Sequence, residues 1–165
     1  MKKHSVQVHP SADRLPREQQ LAWKIADFAA HCGPLEADVL EMIACRIVDN
    51  ASVAIAAINR TPVAAARAMA LAHPRAAGAT LYGLDPAIRV DAEWAAWSNA
   101  TAVRELDFHD TFLAADYAHP GDAVAALLAV AQQMGCDGAA LARGIAVSYE
   151  VHVALVKAIS LHKYK

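Results

Sequence analysis

DVLEMIACRIVDNASVAIAAIN, Asp38 to Asn59, is the stretch that sets the fold class. Leu40, Ile43, Ile47, Ala51, Ala54 or Ile55, and Ile58 recur at steps of three and four, which puts them in one apolar stripe of a helix. Asp38 is a residue type that caps such a helix, because its carboxylate accepts from the free N–H groups of the first turn. No sustained period-2 alternation competes with this pattern, here or elsewhere in the chain.

The same period extends outward in both directions. Upstream, Leu15–Cys32 carries Leu21, Ile25 and Phe28 at helical spacing, with Pro16 in the first turn and Gly33-Pro34 as the stop. Downstream, a shorter helix over Pro62–His73 is ended by Pro74. Residues 76–90, with two glycines and a proline, read as a loop with a short extended piece. Asp91 then caps a helix running to about Leu106, with Trp94, Trp97 and Val103 near one face. Gly121-Asp122 opens a helix over Ala123–Met134 that Gly135 closes. Asp137 caps the last helix, along which Leu141, Ile145, Tyr149, His152, Val156 and Ile159 form a stripe. The expectation is an all-α, bundle-like domain of about six helices, spanning residues 15–165 after a flexible lead-in over residues 1–14.

Composition narrows the function classes. Apolar residues are 56 % of the 165, with mean hydropathy positive, and much of the excess is alanine, the best helix former. The net charge of −2 offers no basic field for phosphates, so nucleic acid is not an expected partner. No unbroken apolar run reaches the ~18 residues of a membrane span, and the polar N-terminus has no hydrophobic signal core. Cys32, Cys45 and Cys136 form no CxxC pair. They read as small buried hydrophobes in a reduced, cytosolic setting.

One segment breaks the apolar habit. ELDFHDTFLAADYAHPGD, Glu105 to Asp122, gathers five carboxylates, two histidines, a threonine and a tyrosine into eighteen positions. It reads as a loop between two helices, a common place for catalytic groups, and Pro120 restricts the backbone of His119. A histidine near a carboxylate suits acid–base work. The plainer reading is a solvated loop whose aspartates cap helices. A third is a metal-dependent hydrolase in which His109, Asp110 and His119 supply two imidazoles and a carboxylate, although HxxxH and HExxH are absent. A fourth is a helical interaction module without catalysis. Asn99 stands two turns before Asp107, which makes it a candidate to face the same cavity beside the plainer reading of a helix-surface asparagine. His152 reads as a core histidine, and Lys157, Lys163 and Lys165 as solvated.

WSNATAVRELDFHDTFLAADYAHPGDAVAALLAVAQ resembles the N-terminal helical part of the MmgE/PrpD family. The likeness rests on Asn99, on Leu106-Asp107-Phe108-His109-Asp110-Thr111, and on His119-Pro120-Gly121-Asp122 before an apolar helix. It extends back through RIVDNASVAIAA and forward through SYEVHVALVKAISLHKYK. His109 and AADYAHPGD are closer to the branch acting on 2-methylcitrate than to the cis-aconitate decarboxylase branch. The resemblance implies a longer enzyme with a helical domain and a separate lid. This chain would be its first third and an incomplete part of that helical domain. It implies removal of water from 2-methylcitrate to give 2-methyl-cis-aconitate in propionate breakdown, and often activity on citrate. No cofactor is expected, and the three cysteines lack the clustering of an iron–sulfur site. The residues carried over are Asp107 and His119 as the acid–base pair and Thr111 as substrate-binding, with Asn99, His109 and Asp110 in support. The expected partner is a small tricarboxylate, with no nucleic acid and no membrane, in a cytoplasmic protein that is homodimeric at full length.

Overall fold

The computed structural model describes residues 9–160 and 162. Contacts divide it into two compact units, one ending at Pro34 and the other beginning at Leu35. The expected lead-in lies outside the described residues as far as residue 8. Residues 9–14 hold a turn closed by the Asp13 N–H on the Pro10 carbonyl at 2.9 Å.

The first unit holds a 3-10 turn, Arg17–Gln19, and α1, Leu21–Ala30. No member of its Leu21, Ile25, Phe28 stripe is buried. Arg17 lies over the Trp23 ring at 4.8 Å, shielding one of its faces.

The second unit contains α2 (Ala37–Ala56), α3 (Thr61–Leu71), α4 (Ala92–Arg104), α5 (Val124–Met134) and α6 (Gly138–Ala158). The described chain is therefore mostly helical, with six α-helices, and fits the all-α expectation. Asp38 does not cap α2, which begins at Ala37 with Glu36 at the N-cap position and no side-chain cap bond, so Asp38 lies inside the first turn. The later caps follow the sequence. The Asp91 carboxylate accepts from the Glu93 N–H, Asp137 accepts from the Ala140 N–H, and Gly135 ends α5 in the left-handed region at φ 65°. Two short antiparallel pairs were not foreseen as sheet: β1 (Pro74–Thr80) with β2 (Arg89–Val90), and β3 (Phe112–Leu113) with β4 (Tyr117–Ala118). β2, β3 and β4 have two residues each, too short for alternation to register, and the seven residues of β1, PRAAGAT, alternate no large apolar side chains.

The core consists largely of small side chains. On α4 the buried face is Ala92, Ala95, Ser98, Asn99, Ala102 and Val103, and small residues let α3 and α5 approach closely. This corrects the expected Trp94–Trp97–Val103 face: Trp97 is 59 % exposed, and the Trp94 ring instead stacks on His73 at 4.1 Å. Ile43, Val124 and Ile145 form the bulkiest cluster, where α2, α5 and α6 meet. Along α2 the stripe holds at Ile43 and Ala54, Val53 is buried outside it, and Leu40 and Ile55 are exposed.

Two further readings change. Cys45 and Cys136 are exposed and Cys32 is partly so, all three as free thiols, because each falls off the packed face of its segment. By length and composition α6 could cross a bilayer, with mean hydropathy 1.3. Counting only unbroken apolar runs missed it, since Arg143, Glu150, His152 and Lys157 interrupt the run.

Candidate active site

α4 ends at Arg104, and the chain reverses at Asp107, whose φ of 55° lies in the left-handed region. Aspartate tolerates that conformation better than most residues do. The turn is closed by the Asp107 N–H on the Arg104 carbonyl at 3.1 Å, and Arg104 Nη1 reaches the Asp107 carboxylate at 2.7 Å. The chain then runs out along β3 and returns along β4 in the register Phe112↔Ala118 and Leu113↔Tyr117. That hairpin closes the twelve-residue gap and lays His119 beside the segment it left at Asp107.

His119 is fixed from several sides. Pro120 disfavours the helical region for it, and its backbone is extended at φ −118°, ψ 82°. Its Nδ1 donates to the Asp110 carbonyl at 3.0 Å, and the Thr111 hydroxyl lies 3.4 Å from the same nitrogen. A carbonyl only accepts, so Nδ1 carries a hydrogen and, in the neutral ring, Nε2 keeps the lone pair. Nε2 lies 3.7 Å from Asp107 Oδ1. His119 is nearly buried, while the Asp107 side chain is 62 % exposed, so the pair sits at an opening to solvent.

His109 lies behind this pair. Its ring is fully buried, 5.0 Å from the His119 ring and tilted by 36°. Its Nε2 is 2.6 Å from Asp122 Oδ1, and its Nδ1 has no hydrogen-bond partner among the described residues.

Asp110 holds the floor. Its Oδ1 accepts the Gly121 N–H at 3.0 Å and its Oδ2 accepts the Tyr149 hydroxyl at 2.8 Å. A Cβ at Gly121 would collide with Asp110 Oδ1, so this close approach needs a glycine. Burial, and then the Asp110 carboxylate, push the Tyr149 hydroxyl well above its ordinary 10.0, which keeps it protonated as a donor. Asn50 is fully buried beside Gly121 with neither amide atom bonded to a described residue.

Of the residues singled out in the sequence, Asp107, His109, Asp110, Thr111 and His119 come together. Asn99 does not. Its amide accepts the Tyr82 N–H at 2.9 Å and donates to the Thr80 carbonyl at 3.0 Å, so it ties β1 to α4 rather than facing a ligand. The metal set read as His109, Asp110 and His119 also changes, because the Asp110 carboxylate is taken by Gly121 and Tyr149. Asp107 stands there instead, and Asp107, His109 and His119 each bring a donor atom within 4.8 Å of the other two. Three residues were missed. In the sequence Tyr149 reads as one more member of a core stripe and Asp122 as a helix opener, and Asn50 is not singled out. Lys157, expected in solvent, is exposed and also lies over the Phe112 ring at 5.5 Å. Lys163 and Lys165 lie outside the described residues.

A mostly helical domain that presents a histidine–aspartate pair on a hairpin between two helices defines the class. The MmgE/PrpD N-terminal domain family matches residues 19–165, and the chain belongs to that family. No solved structure matches it.

Proposed function

We propose that this chain belongs to a hydro-lyase that removes water from 2-methylcitrate to give 2-methyl-cis-aconitate, with citrate as a second substrate. Family membership supports dehydratase chemistry. The observation that carries the assignment to particular residues is the 3.7 Å approach of His119 Nε2 to Asp107 Oδ1.

The elimination needs a base for a proton on the carbon beside a carboxylate and an acid for the departing hydroxyl. His119 is the base, since the Asp110 carbonyl fixes its hydrogen on Nδ1 and leaves the Nε2 lone pair facing the opening. As that nitrogen takes the proton, the C–H electrons form the double bond and the C–O bond breaks. Asp107 lies beside the protonated ring, steadies its charge, and passes the proton to the hydroxyl, which leaves as water. Thr111 is the adjacent hydroxyl donor. Arg104, bonded to Asp107, and Lys157, over Phe112, are the candidate cations for the substrate carboxylates. The proposed setting is the cytoplasm and the proposed assembly a homodimer of the full-length protein, with no nucleic-acid or membrane partner.

The test is turnover of 2-methylcitrate by the full-length protein, followed by absorbance of the new double bond. Asp107→Asn and His119→Gln should each lower kcat by about 100-fold or more. Near-wild-type turnover by both variants, with folding intact, would show that these residues do not carry the reaction.

A further inference from the structure

We propose that Asp107, His109 and His119 form a binding site for a divalent transition cation of the Zn2+ type. The proposal shares two residues with the elimination above but does not depend on that reaction.

Each histidine has one nitrogen tied down and the other left with a lone pair. In His119 the Nδ1 hydrogen goes to the Asp110 carbonyl at 3.0 Å, leaving Nε2. In His109 the Nε2 hydrogen goes to the Asp122 carboxylate at 2.6 Å, leaving Nδ1. That Nδ1 is buried in a fully enclosed ring and has no partner among the described residues, a costly way to leave an acceptor. A carbonyl or carboxylate holding the far nitrogen is how metal-ligating histidines are oriented and made more basic.

Asp107 completes the set. A donor atom from each of the three residues lies within 4.8 Å of the other two. Ligands at about 2.0–2.2 Å from one ion stand roughly 3.3–3.5 Å apart, so closure asks for about 1 Å of movement. The exposed Asp107 carboxylate is the group free to make it. Two imidazoles and one carboxylate favour zinc, cobalt or nickel over magnesium or calcium, and three protein ligands leave a position open. Arg104 competes for the Asp107 carboxylate and lowers the affinity. An ion held by His119 Nε2 and the Asp107 carboxylate takes the groups that would move protons, so zinc should inhibit the proposed elimination.

The experiment is calorimetric titration of ZnCl2 into chelator-treated purified protein, with the visible absorbance of added Co2+ as a second readout. One equivalent should bind. Asp107→Asn, in which asparagine keeps the left-handed backbone, should weaken binding at least about tenfold. Asp122→Asn should weaken it by about 10–100-fold through the orientation of His109. No binding would overturn the proposal, and binding unchanged in Asp107→Asn would overturn it and point to surface groups such as the exposed His31–Asp27 pair. Asp107 lies at the surface, so its variant decides even if a change at buried His109 unfolds the chain. Turnover in chelator separates the two readings: zinc binding without turnover leaves this site standing and removes the dehydratase assignment.

Discussion

Asp110 makes three bonds that together set the site. Its carbonyl fixes the hydrogen of His119, and its carboxylate joins the Gly121 N–H to the Tyr149 hydroxyl on α6. Tyr149→Phe would leave Asp110 Oδ2 unpaired in a partly buried place, at a cost of about 1–3 kcal/mol in denaturant unfolding at neutral pH. The same residue predicts a pH effect of definite sign. Its hydroxyl titrates higher in the folded protein than the ordinary 10.0, so the folded state keeps the proton longer. The stability it contributes is whole below pH 10 and is lost as pH rises above that value. The phenylalanine variant should therefore show a smaller decline in stability above pH 10 than the parent. An unchanged decline would mean that burial and the Asp110 bond do not hold the Tyr149 proton in solution.

At the scale of elements, the hairpin does what the sequence hid. Helices were legible because stripes such as Ile43–Ile47 and caps such as Asp91 and Asp137 repeat over many residues. The strands Phe112–Leu113 and Tyr117–Ala118 were not, because two residues carry no period and their pairing is set by where α4 ends and α5 begins. The apolar face of α4 was misjudged for a related reason. Tryptophan is the more hydrophobic residue, yet α4 is packed by α2, α3 and α5, and only alanine-sized groups fit such a space. Ala95 has no exposed surface. Ala95→Leu should cost about 1–3 kcal/mol in thermal or denaturant unfolding through overpacking, despite adding apolar surface. A variant as stable as the parent would show that the α4 contacts are looser than described.

At the scale of the whole molecule, the family and the helical class were readable from the sequence, because LDFHDT and HPGD sit at the right places between apolar helices. Part of the chemistry was not. Asp122 and Tyr149 lie 13 and 39 positions from the groups they touch, and no local pattern joins them. Asn99 illustrates the opposite failure: its place before the motif suggested a ligand contact, and the fold uses it to hold β1. In the proposed elimination His119 and Asp107 act as one unit. The most direct measurement is a double-mutant cycle on kcat/KM for 2-methylcitrate with Asp107→Asn, His119→Gln and the double variant of the full-length protein. If one proton passes between the two groups, the double variant should be about as slow as the slower single variant. Losses that multiply, as they do for independent residues, would contradict it.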